Sequence, residues 1–391
     1  MKKFIAKVVE EMPPSGIRKF FDIASEMKDI ISLSVGEPDF VTPWNIRETG
    51  ISSLERGYTH YTSNSGNPGL RKLITKYLEE RYGLSYDWKK QTIVTVGASE
   101  ALDLAFRALI DPGDEVLVPA PSYVSYMPGV KFAGGVPVTI ETKEEDNFIV
   151  TPEALEAAVT PKTKAIVLPY PNNPTGAIMT EKQLAALTGL ILKHDLFVIS
   201  DEIYSELTYG QKHHSIATFP EIHGRALVIN GFSKSFAMTG FRLGYAAGPA
   251  DLIAAMVKIH QYSMLCAPTM SQYAGEEALK YELASGFAQV EKMTADYNRR
   301  RMFVYHSFQK MGLACFEPKG AFYVFPNISE FGMTSEEFCK RLINEKHVAC
   351  VPGTAFGEAG EGFMRCSYAS AMEHLKIALN RIAEFVTECR G

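Results

Sequence analysis

Lys234 stands between two serines in Asn230-Gly231-Phe232-Ser233-Lys234-Ser235-Phe236, and Arg242 follows in Phe241-Arg242-Leu243-Gly244. A lysine enclosed by apolar neighbours pays a desolvation cost for its charge, so its pKa falls and the neutral amine becomes a nucleophile. Arg242 adds a charge that does not titrate and suits a phosphate. Upstream, Ser200-Asp201-Glu202-Ile203-Tyr204 puts an acid at the end of an apolar run, where it is either a functional carboxylate or a plain cap. Asn173, in Pro171-Asn172-Asn173-Pro174-Thr175-Gly176, belongs either to a simple tight turn or to a turn that aims an amide at a phenolate oxygen. Gly97-Ala98-Ser99 offers small residues and free backbone N–H groups to an anion, although Gly and Ser also suit an ordinary turn. Arg365 interrupts the apolar run Phe363-Met364-Arg365-Cys366 and needs an anionic partner, through either an internal salt bridge or a bidentate hold on a substrate carboxylate.

One scaffold must bring these residues together, and the hydrophobic pattern indicates which. Short apolar runs bounded by Gly or Pro predict strands at 92–96, 115–120, 136–141, 164–170, 196–200, 225–230 and 244–248. Helices are expected between them at 98–110, at 152–159 behind a Thr151 cap, and at 181–193 behind Thr180. That alternation is the signature of an α/β protein with a mainly parallel seven-stranded sheet, whose ligands bind beyond the carboxyl ends of the strands. After about residue 284 the pattern changes to a long helix (283–311), a strand at 321–325, a helix from 335, a strand at 363–369 and a last helix to 389. We expect a large domain over 46–283 and a smaller α+β domain from 1–45 with 284–391, since 391 residues exceed what one core usually serves.

Composition narrows the functions. A net charge of -5 with no block of like charge disfavours nucleic acid and anionic membranes. The start Met1-Lys2-Lys3-Phe4-Ile5-Ala6-Lys7 breaks its apolar run too early for a secretion signal, and no run is long enough to span a membrane, so a cytoplasmic protein is expected. Six scattered cysteines without a Cys-x-x-Cys pair read as reduced structural thiols, and His213-His214 reads as a solvated turn, so no metal site is expected.

In the order Asn173-Pro174-Thr175-Gly176, Ser200-Asp201-Glu202-Ile203-Tyr204, Ser233-Lys234-Ser235 through Gly244, and then Arg365, the chain resembles the class I aminotransferases. These are fold-type I enzymes that depend on pyridoxal 5'-phosphate (PLP), and the resemblance covers nearly the whole length. It implies that Lys234 holds the cofactor as a Schiff base and moves the substrate proton, that Asp201 pairs with the pyridine nitrogen, and that Asn173 and Tyr204 donate to the cofactor O3' oxygen. Tyr123 would stack on the ring. Ala98, Ser99, Ser233 and Arg242 would hold the phosphate, with Tyr61 reaching in from the second subunit of a homodimer. Gly231 replaces a hydroxyl that many relatives carry. Arg365, beside the Gly36 backbone, would take the substrate carboxylate. The subgroup includes aromatic amino acid, N-acetyl-diaminopimelate and aspartate aminotransferases. Some aspartate enzymes have a lysine where this chain has Ser99, so a bulkier L-amino acid donor is expected, with 2-oxoglutarate as acceptor. The alternatives are aspartate transamination or a carbon-sulfur β-lyase, both open to the same cofactor chemistry. A gene regulator using this domain as a sensor would need a DNA-binding module, for which the stretch before Ser34 is too short.

Overall fold

The computed structural model describes residues 4–14, 16, 17 and 29–391. In chain order its strands are β1 (Ile31–Ser32), β2 (Thr92–Thr95), β3 (Glu115–Ala120), β4 (Val136–Glu141), β5 (Thr163–Leu168), β6 (Phe197–Asp201), β7 (Ala226–Gly231), β8 (Gly244–Ala247), β9 (Tyr323–Val324), β10 (Val348–Ala349), β11 (Val351–Pro352) and β12 (Met364–Ser367). The seven strands expected between 92 and 248 form one sheet in the order β2-β8-β7-β6-β5-β3-β4. The pairings β4-β3-β5-β6-β7 are parallel, while β8 runs antiparallel to both β7 and β2. This α/β architecture is the one the alternating pattern predicts.

Side chains along these strands alternate between two buried layers, as a two-residue period requires. Ile93, Val116, Val118, Val167, Ile199 and Ile229 pack into one layer with the helices Gly97–Leu109 and Ala250–Ser263. Val94, Leu117, Ile166, Val198 and Val228 pack into the opposite layer with the helices Pro68–Tyr82 and Glu181–Lys193. Both faces of the sheet's central strands are therefore dry, and their ends are where polar chemistry can sit. The caps follow the sequence. Thr151 accepts from Ala154 N–H with Pro152 behind it, and Thr180 forms a reciprocal capping box with Gln183.

Beyond the main sheet, β9, β11 and β12 make a three-stranded antiparallel sheet, and β1 pairs with β10 in parallel. The expected helix over 283–311 is in fact the end of one helix, Thr269–Ser285, and a second, Ala288–Lys310. Gly286 and Phe287, at φ 68° and 68°, end the first and turn the chain into the second. A left-handed pair cannot continue an α-helix, and the apolar periodicity on either side hid the break. All six cysteines are free.

Candidate active site

The parallel strands β3, β5, β6 and β7 all end on one edge of the sheet, and antiparallel β8 begins there. Asp201 closes β6, and Lys234 lies in the short helix Phe232–Ser235 directly after β7. Arg242 lies two residues before β8, so strand polarity brings residues eight apart in sequence to the same edge.

Lys234 Nζ donates to the Gly36 carbonyl at 2.7 Å, a contact across 198 residues. Enclosure lowers its pKa from 10.5 to about 8; Glu37 opposes that shift, and the charges of Arg242 and Arg365 add to it. A substantial neutral fraction near physiological pH follows, which an amine nucleophile requires. On the neighbouring strand Asp201 is buried and accepts from Tyr126 O–H at 2.8 Å and from Ile203 N–H at 3.2 Å. Burial raises its pKa from 3.8 to about 6, although both hydrogen bonds pull the other way and Glu202 pushes further up. A carboxylate so placed favours a cation beside it.

Arg365 is 1% exposed and lies between the rings of Tyr323 and Phe356, at 4.4 and 4.9 Å. Its Nη1 donates to Asn173 Oδ1 at 2.9 Å and its Nη2 to the Ser34 carbonyl at 2.5 Å, while its buried Nε has no partner. No carboxylate among the described residues pairs with it, which removes the internal salt bridge from the two readings of this arginine. A buried guanidinium left with neutral partners and an orphaned N–H is a receptor for an anion. Because Asn173 Oδ1 accepts from Arg365, the amide nitrogen of Asn173 is left to donate elsewhere. Tyr204 O–H lies 2.9 Å from Tyr323 O–H, and burial together with Tyr323 holds the Tyr204 phenol well above its ordinary pKa, so it remains a donor.

The Gly97 turn is shaped for close approach. Gly97 has φ 74°, and a Cβ there would lie 2.7 Å from Arg242 Nη2. A Cβ on Gly244 would fall 2.4 Å from the Gly97 carbonyl carbon. Only glycine at both positions lets β8 and the guanidinium come this near to the start of helix Gly97–Leu109. Ala98 and Ser99 follow in the first turn, whose N–H groups have no intrahelical acceptor. Ser233 is buried beside Lys234, and Arg242 Nη1 donates to the Thr239 carbonyl at 2.9 Å. Tyr123 stands edge-on to Tyr126 at 5.6 Å. Tyr61 is 81% exposed in its own chain.

Three members of the site escaped the reading of the sequence: Tyr126, Tyr323 and Ser34. Tyr126 follows Tyr123 by three residues and opens the helix Tyr126–Phe132, and its closeness to Tyr123 in sequence was the available signal. Tyr323 and Ser34 reach Arg365 only through tertiary packing. His213 corrects an expectation. It is not solvated, with a side chain only 6% exposed and Nε2 2.9 Å from Glu202, which also accepts from Ser200 and Ser215. No group of three His, Cys, Asp or Glu residues able to hold a metal occurs among the described residues.

The sequence matches the model of aminotransferase class I and II over residues 28–382. The chain belongs to that family. It is similar to a putative aminotransferase of Bacillus subtilis, at 50% identity over 99% of each chain. It is also similar to an aspartate aminotransferase of Pyrococcus abyssi, at 45% identity over 96% of each. The crystal structure of an aromatic aminotransferase from Pyrococcus horikoshii superposes with a TM-score of 0.90 at 42% identity, covering 96% of this chain and 99% of that one. Amino-group transfer is therefore this enzyme's class of reaction.

Proposed function

We propose that this aminotransferase uses pyridoxal 5'-phosphate to move the amino group of a bulky L-amino acid, of aromatic or acyl-diaminopimelate type, to a 2-oxo acid such as 2-oxoglutarate. The observation that carries the reading is the buried trio of an amine with lowered pKa, a carboxylate with raised pKa and an arginine lacking an anionic partner. Each is costly alone, and each is relieved by a ligand that offers an aldehyde, a basic ring nitrogen and a carboxylate.

The cofactor, when bound, supplies an electron sink that lets the α-proton of an amino acid leave. Lys234 would hold it through Nζ and, once freed by substrate, would take the α-proton as general base and return it as general acid. Asp201, fixed by Tyr126 and Ile203, would keep the ring nitrogen protonated. Asn173 and Tyr204 would donate to O3', and Tyr123 would cover the ring face. The phosphate would take the amides of Ala98 and Ser99 with Ser233 and Arg242, and Tyr61 would complete that site from a partner subunit. Trp44, Ile51, Leu54, Tyr61 and Tyr262 are exposed and apolar, which supports a homodimer. Arg365, beside Gly36, would receive the substrate carboxylate through its unpaired Nε–H. Ser99 is exposed and brings no charge to a second carboxylate, which favours donors other than aspartate. We assign 46–283 to the cofactor domain and 1–45 with 284–391 to the smaller one, noting that 1–3, 15 and 18–28 lie outside the described residues. No helix among the described residues is long and apolar enough to cross a membrane, and we place the enzyme in the cytoplasm.

The test is an absorption spectrum from about 300 to 500 nm, where the lysine-bound cofactor absorbs, of the wild type and Lys234→Ala with PLP and a panel of amino acids. A band present in the wild type, absent in Lys234→Ala and converted by aromatic or acyl-diaminopimelate donors is expected. A wild type that captures no PLP overturns the cofactor assignment. A higher kcat/KM with aspartate than with every bulkier donor overturns the substrate assignment alone.

A further inference from the structure

Behind the Gly97 turn stand a carboxylate and an imidazole that the reaction does not use. Glu100, in the first turn of helix Gly97–Leu109, folds back so that its Oε2 accepts the Val96 N–H at 2.5 Å. Its Oε1 lies 2.7 Å from His260 Nδ1. His260, from helix Ala250–Ser263, is fully buried, and its Nε2 has no partner. A carboxylate can only accept, so it is Nδ1 that carries the hydrogen here.

The turn is thus held from two directions. Thr95 Oγ1 donates to the Gly97 carbonyl at 2.9 Å, and Glu100 takes the N–H one residue earlier. The residues that follow, Ala98 and Ser99, carry the amides that would face the phosphate. Glu100 fits the helix N-terminus by itself, because a negative charge there meets the positive end of the dipole. That same end would have to serve a phosphate, and two anions competing for one helix end weaken each other. His260 resolves the conflict: it fixes the carboxylate toward Val96 and places a proton donor against its charge, while Arg242 stands on the Gly97 side.

We propose that Glu100 and His260 are positioning residues for the cofactor phosphate, with His260 restraining and screening the Glu100 carboxylate so that the Gly97–Ser99 amides remain available to the ligand. This rests on the phosphate being bound at that turn. The experiment titrates PLP into PLP-free wild type, His260→Leu, Glu100→Gln and the double variant, following the absorbance of the lysine-bound cofactor. An unscreened charge in the first helical turn should weaken PLP binding in His260→Leu by on the order of 5- to 30-fold, with the loss in PLP affinity and not in turnover at saturating PLP. Glu100→Gln removes the charge and keeps both hydrogen bonds once the His260 hydrogen moves from Nδ1 to Nε2, letting Nδ1 accept from the amide N–H, so it should bind PLP at least as tightly as wild type. The double variant should recover most of the affinity lost in His260→Leu. A double variant as weak as His260→Leu means a packing defect and overturns the proposal, as does a His260→Leu protein that binds PLP like wild type. If His260→Leu does not fold, weaker PLP binding by Glu100→Gln alone overturns it. A wild type that captures no PLP refutes the phosphate assignment first, and this proposal with it.

Discussion

Asp201→Asn should make the cofactor-free protein more stable while destroying its chemistry. Burial raises the Asp201 pKa from 3.8 to about 6, so the folded protein holds this proton more tightly than the unfolded chain does. Such a group contributes stability that is fully present below pH 3.8 and is lost as pH rises through about 6. Above that window the cost of ionising it in the fold is about 3 kcal/mol; at pH 5 it is about 1.5 kcal/mol. Asparagine never ionises, keeps an oxygen for Ile203 N–H and turns its N–H toward the Tyr126 oxygen, so both hydrogen bonds survive the change. The assay is urea unfolding of the two cofactor-free proteins at pH 5 and pH 8, followed by intrinsic fluorescence. We expect the variant to be more stable at pH 8 by about 3 kcal/mol, with the gap roughly halved at pH 5. Added PLP should close the gap by giving the wild-type carboxylate a cationic partner. A variant no more stable than wild type at pH 8, or a gap that does not change with pH, refutes the reasoning.

Lys234, with its pKa lowered to about 8, should capture added PLP at a rate that rises with pH and levels off near 8; a rate still climbing at pH 10 would show that the amine is not perturbed. Arg365→Ala removes a guanidinium able to make two charge-assisted hydrogen bonds to a carboxylate, so kcat/KM for amino acids should fall by about 100-fold, from about 3 kcal/mol, while the cofactor spectrum is kept. An unchanged KM for every donor would place the substrate carboxylate elsewhere. Gly97→Ala combines a positive φ with a Cβ 2.7 Å from Arg242 Nη2, so both thermal stability and PLP affinity should drop, the strain alone contributing about 1–2 kcal/mol. A normal melting temperature together with normal PLP affinity would mean that the turn relaxes freely.

What the sequence made legible was everything tied to a strand end. Asp201, Lys234 and Arg242 could be read because apolar runs mark the strands, and because a parallel sheet sends its polar residues to one edge. What it hid was set by packing between distant segments. Nothing in the spacing tells that the Gly36 carbonyl receives Lys234 Nζ across 198 residues, or that Asn173 turns its oxygen to Arg365 across 192. The hidden contacts explain how this site can be both stable and reactive. Lys234 and Arg365 are held by backbone carbonyls and an amide, which fix them in place without neutralising them. His213 makes the contrast. The pair His213-His214 reads in the sequence as a solvated turn, yet His213 is buried against Glu202, and Ser200 and Ser215 complete the carboxylate's shell. Glu202 is thus compensated inside the protein, whereas Asp201 beside it receives only Tyr126 and a backbone N–H. Of two adjacent buried carboxylates, the fold surrounds one with an imidazole and two hydroxyls and gives the other fewer partners, and that asymmetry supports the proposed role of Asp201 as the one that meets a ligand.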